Sequence, residues 1–159
     1  MTAMLLSMML AATVQASTPK PASTPPFAAE LQPLLAALRR AGYVVSHEPP
    51  PVAGAYGLTD TRRRRIWIAP ITAELGIARA ALIHEAVHAA QGCGRGMQQP
   101  IGWPISLDPV LKRHISALLL QGYPHGSFEV EREAFGMQSH PQALNLISKA
   151  LDQRCGQRR

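Results

Sequence analysis

The chain has 159 residues, room for one domain with a modest core, and its 47% hydrophobic and 16% charged residues exclude a disordered polymer. A formal charge of +6 would suit an anionic partner, yet the arginines are scattered and no aromatic-interleaved basic stripe joins them. The charge is therefore read as solubilising surface, and no nucleic acid partner is expected.

From the N-terminus, Met4 to Ala12 is an apolar run, and Val14-Gln15-Ala16 after it suits signal-peptidase cleavage behind Ala16. No Lys or Arg precedes the run, so an uncleaved anchor is the competing reading. A stable span, however, needs about 20 apolar residues. Residues 1–16 are thus expected as a signal peptide and the mature chain as exported, periplasmic or secreted, with no stable membrane span after processing. Residues 17–26 are Pro, Ser and Thr-rich, a linker with little to bury. Residues 27–159 are expected as a single domain.

Within that domain, Phe27 to Ala41 reads as an amphipathic helix carrying Leu31, Leu34, Leu35 and Leu38, with its regular part starting near Pro33 and Gly42 ending it. This helix is either part of the core or a prodomain-like cover. Tyr43 to Ser46 is a short strand, and 47–54 is turn-rich. Ala55 to Asp60 is a strand end and turn, and Arg64 to Ala69 is a second strand whose flanking arginines suit a sheet edge. Helix resumes near Thr72 and runs to Gln91 with a break at Gly76. A loop from Arg95 to Leu107 could border a substrate cleft. Asp108-Pro109 opens a helix through Leu120, and two more follow, from about Ser127 to Ser139 and from Pro141 to Leu151. The sum is an α+β domain, mainly helical, with a small two- or three-stranded antiparallel sheet packed on the helix through Gln91 and on the C-terminal helices.

One stretch of that helix carries chemistry. Between Arg79 and Arg95 the only groups able to carry charge are His84, Glu85, His88 and the Cys93 thiol. An acid and two imidazoles in an otherwise apolar helix need a partner. Histidines at i and i+4 share one helical face and can grip one zinc ion, while Glu85 can reach a water on that metal. Catalytic zinc takes three protein ligands plus water. The metzincin third ligand, a histidine six residues past the second, is excluded because Gly94 stands there. Only five carboxylates follow His88: Asp108, Glu129, Glu131, Glu133 and Asp152. Asp108 reads as a cap and Asp152 as tail. Glu131 lies amid the apolar stripe of Phe128, Ala134 and Phe135, so it is the expected third ligand, with Glu133 and then Glu129 as fallbacks. Cys93 and Cys155 are expected to pair, tying the last helix to the motif helix; a closed zinc site using both thiols is the alternative, and it would leave Glu85 without a task.

His84-Glu85-Ala86-Val87-His88 followed by Glu131-Arg132-Glu133-Ala134 resembles the gluzincins, zinc metallopeptidases with a downstream glutamate ligand. The small single domain with an edge strand before the motif helix is similar to the minigluzincins. The resemblance covers about Arg64 to Phe135 and departs from the group at Phe135, where many members carry Asp or Asn to support a histidine ligand. Here that support must come from another group or a backbone carbonyl. The resemblance implies a zincin-like fold and hydrolysis of a peptide or protein substrate, with one Zn2+ on His84, His88 and Glu131 activating water and Glu85 as the catalytic proton acceptor. Tyr123, His125 and His114 are candidate oxyanion donors, and the strand at Ile66 to Ile68 could align an extended peptide. The competing function is a catalytically inactive module that uses the same cleft to bind zinc, a peptide or a cell-wall component.

Overall fold

Leucines at helical spacing organise the start of the domain. A single 3-10 turn, Ala29–Leu31, leads into helix α1, Gln32–Arg40. Pro33 occupies the first turn, where its missing N–H has no intrahelical partner to lose. Gly42 leaves the helix at φ 83°, a left-handed conformation that side chains rarely adopt. Leu34, Ala37 and Leu38 are fully buried, so α1 belongs to the core and is not a removable cover. The computed structural model describes residues 27–94, 97–122 and 128–156; the expected signal peptide (1–16) and linker (17–26) lie outside them.

Three short strands follow: β1, Val44–Ser46; β2, Gly57–Asp60; and β3, Arg65–Ile68. Their order is β1-β3-β2. β2 and β3 form an antiparallel hairpin with Leu58 opposite Trp67 and Thr59 opposite Ile66. β1 runs parallel to β3, with Val45 opposite Ile66. The sheet is therefore mixed, where an antiparallel one was expected, and β3 is its central strand, where an edge strand was expected. The reason lies in β3 itself: Ile66 and Ile68 are fully buried on the helical side, and the strand with the most apolar surface to bury takes the middle. The arginines that suggested an edge have structural partners. Asp60 Oδ1 accepts from the backbone N–H groups of Arg63 and Arg62, which with the Arg63 guanidinium hold the Asp60 carboxyl below its ordinary range. Arg64 donates to Ala41 O, and Arg65 pairs with Glu48 while its guanidinium lies over the Trp67 ring.

Helices complete the domain: α2, Ile71–Glu74; α3, Ala78–Gly92; α4, Pro109–Gly122; α5, Phe128–Gln138; and α6, Ala143–Cys155. Gly76 separates α2 from α3 at φ 68°. Asp108 caps α4, its Oδ1 accepting from the N–H groups of Val110 and Leu111. The architecture is α+β and mainly helical. Helix α3 is its axis: every residue from Leu82 to Gln91 is buried, and the helix packs against α5, α6, β2 and β3. Ala86, Ala89 and Ala90 keep its flanks narrow, so neighbours approach closely on several sides at once.

Cys93 and Cys155 form a disulfide with Cα atoms 5.0 Å apart, joining the end of α3 to the end of α6. Beside it the Arg154 guanidinium donates to Ala90 O, one of the terminal carbonyls of α3. With both thiols in this bond, the four-ligand zinc site they might have formed is excluded. Among the described residues no helix is long and apolar enough to cross a membrane.

Candidate metal centre

His84 and His88 stand one turn apart on α3 and face α5, from which Glu131 reaches back. The two Nε2 atoms are 3.0 Å apart. Glu131 Oε2 lies 3.2 Å from His84 Nε2, and Oε1 lies 3.4 Å from His88 Nε2. One ligand atom from each residue falls within 4.8 Å of the others, so the trio could hold a single metal ion. Both imidazoles are buried and Glu131 is nearly so. The structure thus brings together the three residues expected from the sequence.

Charge explains how the trio is poised. Burial alone would push the Glu131 carboxyl up, but the two imidazoles outweigh it and hold the group at about 2. For His88 burial pushes the other way; Glu131, Glu85 and Gln91 together overcome it and raise the imidazole above its ordinary value. Glu131 Oε2 is buried and, despite its nearness to His84, accepts no well-formed hydrogen bond. A buried acceptor left in that state marks a position for an ion or water. Two imidazole nitrogens and a carboxylate oxygen make a donor set that fits a divalent transition metal.

The other ends of the imidazoles are held by amides. His88 Nδ1 is 2.8 Å from Gln91 Oε1, and His84 Nδ1 is 3.0 Å from the Gln138 amide. Phe135, where an Asp or Asn was the family expectation, packs its ring edge-on against His84 with centroids 4.6 Å apart. The polar support comes instead from two other residues: Gln138, three residues after Phe135 on α5, and Gln91, three residues after His88 on α3. Neither was singled out from the sequence. The signal available was position, since Gln91 is the one uncharged polar side chain between Glu85 and Gly92 on a buried helix.

The fallback ligands have other work. Glu133 is buried, but it accepts N–H groups from Ile101, Gly102 and Trp103 and from Gln91 Nε2. Glu129 is largely exposed and pairs with Arg132. Asp152 makes a two-pronged pair with Arg40. Of the oxyanion candidates, Tyr123 and His125 fall outside the described residues, and His114 is exposed on α4.

Glu85 is buried against β2 instead of α5. The Thr59 hydroxyl donates to its Oε2 at 2.7 Å and lies 2.9 Å from its main-chain carbonyl. Gly57 is required beside it: a Cβ there would meet Glu85 Oε1 at 2.6 Å. Glu85 and His84 together line a cavity of about 410 Å³ whose other walls include Tyr56, Ile77, Ala81 and Phe135. Glu85 and His84 therefore share one largely apolar-walled space. Because β3 is flanked on both sides, it has no free edge for a peptide; on this side of the sheet the free edge belongs to β2. The chain matches no protein-family model, no curated protein and no solved structure.

Proposed function

We propose that the chain is an exported zinc-dependent peptidase. The observation that carries the reading is the convergence of His84, His88 and Glu131 with a second carboxylate, Glu85, buried on the same helix and facing the cavity that His84 also lines. The gluzincin-like order of these residues along the chain supports it, and the disulfide is compatible with export.

His84, His88 and Glu131 would hold the zinc, and their mixed nitrogen and oxygen donors suit that ion. When bound, zinc supplies Lewis acidity and lowers the pKa of water toward ~7. Glu85 takes the proton of the attacking water and delivers it to the leaving amine. Thr59 holds the carboxylate by one oxygen, and the missing Cβ of Gly57 makes room for the other. The substrate lies extended along the free edge of β2, pairing its main chain there. Ile77, Ala81 and Phe135 exclude water around one of its side chains.

The deciding experiment is metal analysis and peptide hydrolysis by the wild type beside Glu85→Gln. One zinc per chain in both proteins, with hydrolysis in the wild type alone, is the expected result. A wild type that takes up no zinc under metal-replete conditions ends the proposal. Zinc retained by both with no cleavage of a broad peptide library by either would favour the non-catalytic binding module.

A further inference from the structure

Glu133 is a buried carboxylate with no part in the chemistry above, and its surroundings are unusually complete. Oε2 accepts from Gln91 Nε2 (2.9 Å) and Ile101 N (2.8 Å), and Oε1 accepts from Gly102 N (2.7 Å) and Trp103 N (3.2 Å). Four N–H donors converge on one side chain, three of them from successive residues of one loop. The fourth belongs to the amide that touches His88.

That amide can be oriented in only one sense. Gln91 Nε2 donates to Val130 O at 2.9 Å as well as to Glu133. Turning the amide over would set its oxygen against a carbonyl and a carboxylate and lose both bonds. Gln91 is 1% exposed, so water cannot make good the loss. With Nε2 committed, Oε1 must be the atom facing His88 Nδ1, and an oxygen there requires Nδ1 to carry the hydrogen. The His88 Nε2 lone pair is then directed at Glu131 and His84, as a metal ligand needs. His84 differs: its partner Gln138 is half-buried, and its amide can present either atom.

We propose that Gln91 and Glu133 are positioning residues of the metal centre, a two-link strut that fixes His88 in its Nδ1–H tautomer and anchors it to the Ile101–Trp103 loop. The proposal extends the metal-site reading and rests on it for its effect on zinc, but not for its effect on the tautomer. The carboxylate is needed because it alone accepts from the loop and from Gln91 at once. The loop, in turn, holds the strut at a fixed length from α3.

Nitrogen-15 spectra of histidine ring atoms in the metal-free protein at alkaline pH read the tautomer, and competition with a chromophoric chelator reads zinc affinity. The wild type is expected in the Nδ1–H form at His88. Gln91→Met and Glu133→Gln, each checked for folding by circular dichroism, are expected to lose that preference and to bind zinc about 10–100-fold more weakly. Folded variants that keep the wild-type tautomer and affinity overturn the proposal, as does a wild type in the Nε2–H form. If one variant fails to fold the other carries the comparison, and the wild-type spectrum stands by itself. A wild type that binds no zinc while its His88 is Nδ1–H sinks the zinc reading and leaves the strut intact.

Discussion

Helix α3 has two polar flanks, and its neighbours treat them in opposite ways. Toward α5 the groups are tied down: Gln91 spans His88, Val130 and Glu133, Glu133 is filled by N–H donors, and Gln138 backs His84. Toward β2 the carboxylate of Glu85 takes the Thr59 hydroxyl on Oε2, packs against Gly57 where a Cβ would stand, and faces the cavity that His84 also lines. Glutamate thus meets two settings: Glu133 is filled by four N–H donors, whereas Glu85 faces a cavity. A ligand must be immobile to set geometry, whereas a proton carrier must be held loosely enough to move between two positions. Under the proposed function, the α5 flank would bind the metal and the β2 flank would carry the reaction.

The most severe way to break the bound flank is Glu131→Ala. It removes a ligand and not merely a ligand's support, so zinc affinity should fall beyond the ~10–100-fold that outer partners cost; equilibrium dialysis against zinc buffers measures it. Reduction of the cross-link, or Cys93→Ser with Cys155→Ser, loosens the end of α3 from α6. The cross-linked residues are 62 apart in sequence, and chain entropy then assigns the bond about 4 kcal/mol of stability, which denaturant unfolding with and without reductant will show.

The open flank is tested by Thr59→Val, which removes the one hydroxyl from Glu85. We expect kcat/KM to drop roughly tenfold, about the worth of one hydrogen bond to a charged group, while zinc affinity stays at the wild-type value. Loss of zinc in that variant would mean that the two flanks are not separate. The mildest test is pH. Because Glu131 raises the His88 pKa in the metal-free protein, a proton occupies the place the metal must take. Zinc affinity should weaken as pH falls below that raised value, by about tenfold per pH unit for the one proton displaced, and isothermal titration in buffers of different pH will follow it.

Much of this site was legible in the order of residues. His84, Glu85 and His88 announce themselves as charge in an apolar helix, and Glu131 follows from the few carboxylates that remain. Glu131, and not Glu133, stands beside the two histidines, and the reason is hidden in the sequence. Glu133 is taken up by three backbone N–H groups of the Ile101–Trp103 loop, and backbone donors leave no mark in a sequence. Gln91 was passed over because a lone amide among alanines looks like filler until its three partners are known. The sheet was misread at one strand for a related reason. Alternation at Arg65 to Ile68 identifies a strand and its buried face, but pairing order depends on neighbours far along the chain. A central β3 has no open edge to align a peptide, so the proposed function places the peptide along β2.

The disulfide also has a topological consequence. The covalent ring it closes runs from Cys93 to Cys155 and so contains Glu131, while His84 and His88 lie just outside it on the incoming chain. A single backbone break in the loop between α3 and α4, the kind of exposed connection proteases cut, would leave two peptides still joined through sulfur. His84, His88 and Glu131 would all remain on one covalent molecule. Such a nicked form would run as one band on a gel without reductant and as two with it.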